Sequence, residues 1–298
     1  MYYIKTDLQI NTNMYALLLS LISSLLVGFF IKFLKIKDIK NLFVVVFINY
    51  VVALIVCYLL FNDVINQSTL NKSLSPITIS LGILMPSIFY FLNKSLNKSG
   101  LAKTDIFQRL SLIIPVILSF WLFQEIFTWS KFAAIALAFI SIVLLLYKKS
   151  TKDGNFNTFY LIAVFIGYGT VDTLFKILAT NKNIPYIAAL FLVFIFCAII
   201  SGLYLFLSKG KIQKKFIFYG LILGILNFSN IYFYMKAHKI FSDSPTLVFI
   251  TMNLGVIIGG SLIGKFYFKE NLTKNAVIGI VLAVISVILL ALIQIDIL

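Results

Sequence analysis

Two pairs of opposite charges stand one helical turn apart inside otherwise apolar sequence: Asp105 with Arg109, and Asp172 with Lys176. Residues four apart share a helix face, so each pair can neutralise itself. A charge at the centre of a bilayer costs about 2.5–3.5 kcal/mol even on the gentle insertion scale, and such residues face polar cavities rather than lipid. A carboxylate there can pair with an amino group or carry a proton. Arg109, the only arginine of the chain, suits a carboxylate or phosphate through its planar fork, and Gln108 lies beside it. Further along, Asn227, Asn230, Tyr234 and His238 fall on one helical stripe, with His238 expected at the membrane edge. These residues are the candidates for substrate binding or coupling. Lys32, Lys94 and Lys236 lie near the ends of apolar runs, where snorkelling accounts for them. No His-Glu-x-x-His, Gly-x-Ser-x-Gly, phosphate loop or Cys/His cluster occurs, so no catalytic site, metal or cofactor is expected.

Elements that position such residues must lie in lipid. The 298 residues are 61% hydrophobic and 12% charged, against about 25% charged in soluble domains. That composition excludes a water-soluble globule, a disordered chain and a disulfide-stapled domain. A spanning helix needs about 20 apolar residues. Ten such runs are expected: Met14–Leu34, Leu42–Phe61, Ile77–Leu96, Ala102–Phe123, Phe132–Tyr147, Thr158–Thr180, Tyr186–Leu207, Phe216–Met235, Thr246–Phe266 and Lys274–Ile293. Cys57 and Cys197 sit inside such runs as packing residues. Gly220/Gly224 and Gly260/Gly264 have the spacing of close helix packing. The formal net charge of +15 belongs to loop lysines facing lipid headgroups, not to nucleic-acid binding.

The chain repeats itself. Glu125-Ile-Phe-Thr128, with Ser141 further on, falls on Glu270-Asn-Leu-Thr273 with Ser286, and the flanking helices keep nearly the same register. The boundary falls near residue 150, giving halves 1–150 and 151–298. In each, a threonine opens a helix as N-cap and the acid three residues before it lies near that helix start. Pro115 and Gly260 are expected to mark matched helix breaks beside a central cavity. The third helix has Met85, Ile88, Leu92 and Leu96 where the eighth has its polar stripe, a divergence that fits either substrate specificity or hydrogen bonding between helices. Five helices per copy is an odd number, so the second copy enters from the opposite face. The expected fold is an all-α integral membrane protein of ten helices in two inverted five-helix repeats, an architecture of transporters.

Pro115…Glu125 and Gly260…Glu270, each closing a fourth helix before a Ser-containing fifth, resemble the EamA branch of the drug/metabolite transporter superfamily. The resemblance covers essentially the whole chain and implies export or exchange of small metabolites across a cell membrane, a bacterial inner membrane above all. The expectation is a secondary transporter with a small-molecule substrate, a lipid environment and proton or exchange coupling. The alternative is a membrane enzyme or flippase acting on lipid-linked substrates. Loop lysines such as Lys35, Lys37, Lys40, Lys209, Lys211, Lys214 and Lys215 crowd the face opposite the termini, which places both termini outside. The resemblance implies the reverse orientation.

Overall fold

The computed structural model describes residues 2–34, 39–146, 158–208, 212–267, 269 and 273–294. Its regular structure is helical throughout, because only a helix satisfies every backbone group within one segment in lipid. The helices are α1 (Tyr2–Leu34), α2 (Ile39–Phe61), α3 (Gln67–Ser73), α4 (Pro76–Ser99), α5 (Leu101–Leu110), α6 (Ile113–Trp121), α7 (Trp129–Leu146), α8 (Thr158–Thr180), α9 (Tyr186–Ser208), α10 (Lys214–Ile240), α11 (Pro245–Phe266) and α12 (Lys274–Gln294). Among the described residues nine stretches are long and apolar enough to cross a membrane, α5 and α6 together forming one of them. A shorter apolar stretch, Met14–Phe30, lies within α1. The connection between α2 and α4 holds the short helix α3. Its start is a reciprocal capping box: Asn66 Oδ1 accepts from the Thr69 amide at 3.1 Å, and Thr69 Oγ1 accepts from the Asn66 amide at 3.0 Å.

The chain forms two compact units, each drawn from both halves of the sequence. The first comprises residues 1–89 and 174–240. Here α1 runs antiparallel to α10, with Ser20 Oγ donating to the Asn230 carbonyl at 3.0 Å and Phe30 edge-on to Tyr219. Glycines let α2 and α10 touch, as their spacing predicted: a Cβ at Gly220 would stand 2.5 Å from Ile48 Cβ, and one at Gly224 2.8 Å from the Asn49 carbonyl. α9 runs antiparallel to α2, Phe43 meeting Tyr204 and Tyr58 meeting Phe191. Cys57 and Cys197 are buried free thiols.

In the middle of α2 the Asn49 side chain is 1% exposed, and neither amide atom makes a hydrogen bond among the described residues. A buried unsatisfied polar group costs about 1–3 kcal/mol, whereas an apolar group of similar shape there is neutral or stabilising. Asn49→Leu is therefore expected to keep or raise the melting temperature of the purified protein in detergent. A marked fall would show that the amide is satisfied.

The second unit comprises residues 90–173 and 241–298. Its α7 and α12 pack antiparallel. Ser286 Oγ donates to the Ala134 carbonyl at 2.7 Å, and a Cβ on Gly279 would stand 3.1 Å from the Ser141 carbonyl. Ala134 matches Gly279 in the repeat, as Ser141 matches Ser286. The only positive-φ non-glycine residues among those described, Gln124 at 53° and Lys269 at 55°, also occupy matching repeat positions.

The two expected helix breaks fare differently. α5 stops at Leu110 and α6 starts at Ile113, so the fourth span is interrupted at Ser111–Leu112, one turn before Pro115. Proline lacks an N–H and its ring displaces the carbonyl four residues earlier, here that of Ser111. α11, by contrast, runs unbroken through Gly260. Glycine keeps its N–H, and in lipid an unmade backbone bond is expensive, so the ladder continues. Gly260 is also exposed, with open space where a Cβ would stand, so the close packing expected there is absent.

Candidate functional site

Within the second unit the interrupted span carries the charged cluster. α5 presents Asp105 and Arg109 one turn apart, Arg109 Nε lying 3.6 Å from Asp105 Oδ1. That is an ion pair but too long for a hydrogen bond, and the buried Nε makes none among the described residues. Immediately after Arg109 the helix tightens: the Ile114 amide reaches back only to the Ser111 carbonyl, at 3.0 Å, and Ser111 Oγ donates to the Gln108 carbonyl at 2.6 Å. α8 comes against this break at Gly169, where a Cβ would stand 2.8 Å from the Ser111 carbonyl and closer still to the Ile114 side chain. That close approach sets Tyr168 of α8 within electrostatic reach of Arg109, Asp105 and Asp172. Tyr168 is thus within reach both of the Asp105–Arg109 pair of α5 and of Asp172, one turn further along its own helix. The sequence reading missed Tyr168, since a tyrosine among apolar residues carries no signal of its own. The result is a guanidinium with a spare donor, paired with the Asp105 carboxylate and within reach of a phenol, at a discontinuity in a membrane helix.

In the first unit the polar stripe of α10 is partly buried. Asn230 is tied to Ser20 through its carbonyl and, at 3.2 Å, through Oδ1, while Asn227 is half-buried. Tyr234 is 9% exposed and stands edge-on to His238, ring centroids 4.6 Å apart. His238 lies in the last turn of α10, two residues before its end at Ile240, and its imidazole is wholly buried. Lys176, at the end of α8, is 1% exposed and within electrostatic reach of His238. Lys94 and Lys236 end over tyrosine rings, 5.7 Å from the Tyr90 centroid and 5.0 Å from that of Tyr15. The Lys32 side chain lies outside the described residues.

Thr128 and Thr273 cap as expected, their Oγ1 atoms accepting from the amides of Lys131 and Ala276, each at 3.2 Å. Glu125 does something different from what its position suggested. One carboxylate oxygen caps the start of α11, taking the Thr246 amide at 3.1 Å and its hydroxyl at 2.6 Å, while the other meets Lys131 Nζ at 3.1 Å. Lys131 also donates to the Ile126 carbonyl at 3.0 Å. Glu270, the repeat mate, lies outside the described residues.

The sequence model of the EamA-like transporter family matches residues 11–147 and again 156–292. The chain belongs to the EamA-like transporter family. An uncharacterized protein of Haemophilus influenzae is 35% identical over 286 residues, covering 92% of this chain and 96% of that one. A protein solved by crystallography shares the fold at a TM-score of 0.69 and 14% identity, covering 95% of this chain and 97% of that one. This EamA-like chain is accordingly a multi-pass membrane protein of a transporter family, carrying two copies of the family's unit.

Proposed function

We propose that this EamA-like chain is a secondary transporter that exports small polar metabolites across a bacterial-type inner membrane by alternating access. The observation that carries the proposal is the Asp105–Arg109 pair, with Tyr168 in reach of it, at the interrupted fourth span. Broken helices in transporters offer backbone groups and helix ends to substrate. Arg109 would hold a carboxylate or phosphate. Asp172 would pair with an amino group or release a proton as access alternates. The antiparallel contact of α7 with α12 at repeat-matched residues supports an inverted repeat of two five-helix halves, with boundaries near residue 150. Coupling to protons or to exchange belongs to the same reading, as the sequence carries no nucleotide-binding loop with which this chain alone could be driven.

The test is counterflow in proteoliposomes against a panel of amino acids, carboxylates and phosphorylated metabolites. Saturable flux that responds to a preloaded substrate is expected. Failure of every substrate, with chemical turnover or flipping of a lipid-linked one, would favour the membrane enzyme or flippase instead. Asp172→Asn is expected to leave folded yield near normal and to abolish flux or its pH dependence; normal flux at normal yield would remove Asp172 from the path. A fluorescent reporter fused after Leu298 is expected to stay dark in the cytoplasm, following the lysine asymmetry. Bright cytoplasmic fluorescence there would refute that orientation.

A further inference from the structure

Between α6 and α7 the chain exposes large apolar side chains where a solvated loop would carry charge. Trp121 and Trp129 are each 79% exposed and Ile126 76%. Leu122, Phe127 and Phe132 are half-exposed. The rings are gathered rather than scattered: centroids lie 5.7 Å apart for Phe120–Phe127, 5.8 Å for Phe127–Trp129 and 6.0 Å for Trp129–Phe132. The exposed residues among them, Gln124, Thr128 and Ser130, are polar but uncharged. The charged residues here, Glu125 and Lys131, are buried against each other. Further along α7, Ile140 and Val143 are exposed apolar side chains as well. The repeat-matched connection after α11 differs: its exposed Phe266 and Tyr267 are accompanied by Lys265 and Lys269.

We propose that the α6–α7 connection is an interfacial anchor, its aromatic patch seated in the headgroup–glycerol zone of the bilayer. Indole rings favour that zone because one edge is apolar and the N–H finds an acceptor there. With no exposed cation in the patch, its partner is the uncharged part of the lipid interface, and anionic headgroups add nothing. The anchor holds at a fixed depth the same connection whose Glu125 caps α11. This proposal does not depend on the transport reading.

Both tryptophans of the chain lie in this patch, so tryptophan fluorescence of the full-length protein, excited at the red edge where the fifteen tyrosines do not absorb, reads it alone. The protein would be placed in phosphatidylcholine vesicles carrying bromine either high or deep on the acyl chains. The expected result is strong quenching that is greater for the shallow label, weak quenching by aqueous iodide, and no change when phosphatidylglycerol replaces part of the lipid. Trp121→Phe and Trp129→Phe should each leave a remaining indole that behaves the same way. Strong iodide quenching with no bromine effect would overturn the proposal in favour of a solvated loop. Protection from both quenchers would overturn it in favour of a second copy or another protein covering the patch. Quenching that rises with anionic lipid would overturn the headgroup-independent partner.

Discussion

Arg109→Gln should lose nearly all counterflow at unchanged folded yield, and Arg109→Lys should fall roughly ten- to hundredfold. The second figure follows from losing one charge-assisted hydrogen bond, about 1.5–3 kcal/mol, while the charge is kept. Lysine presents a point charge, whereas guanidinium presents a planar fork that grips two oxygens at once. Yield should hold because the bond to Asp105 is long and its partner is 39% exposed, and such pairs contribute little to stability. Asp105→Asn serves as the companion, expected to shift apparent substrate affinity less than either change at Arg109. Initial rates in proteoliposomes and the monodisperse fraction after detergent extraction are the measurements. Wild-type flux from Arg109→Gln would end the assignment. So would a collapse in yield of both arginine variants, which would make the guanidinium a packing element.

The part of this protein that sequence disclosed is the part fixed by short range or by the solvent. The bilayer forces long apolar runs, so most spans could be read to within a turn or so. The pairing of Asp105 with Arg109 is written in the four-residue spacing of a single helix. Proline at 115 disturbs its own neighbourhood by covalent chemistry, so an interruption near it was foreseeable, though it falls a turn earlier, where the displaced carbonyl lies. Gly260 misled because glycine only permits a bend, and lipid penalises making one. Tyr168 was invisible because its role depends on Gly169 bringing α8 against Ser111, a contact between residues far apart in sequence. The burial of His238 was hidden by lysines on either side of it, which made the helix end look nearer than Ile240. Glu125 has one partner nearby, Lys131 at the start of α7, but the other, Thr246, is 121 residues away, beyond the reach of local helix-start logic.

Glu125→Ala should destabilise the purified protein by about 3–5 kcal/mol, the range for removing one partner of a buried ion pair. The carboxylate side chain is 1% exposed and that of Lys131 10%, so water cannot replace what is lost. Three effects act together. Lys131 keeps a buried charge with only the Ile126 carbonyl to meet it. The Thr246 hydroxyl, bonded at 2.6 Å, loses its acceptor. The start of α11 loses both an acceptor for an orphan amide and a negative charge at the positive end of its dipole. Variants separate these effects. Thr246→Val removes only the hydroxyl bond, and a loss of about 1.5–3 kcal/mol is expected. Glu125→Gln with Lys131→Met replaces the ion pair by neutral groups of similar length and should recover much of the stability lost in Glu125→Ala, since the penalty lies mainly in the abandoned lysine. Denaturant titration of detergent-solubilised protein measures all three. A Glu125→Ala protein as stable as the wild type would refute the capping role. A double variant no better than Glu125→Ala would shift the weight from the stranded lysine to the negative charge lost at the start of α11, because glutamine still offers an oxygen to the amide there.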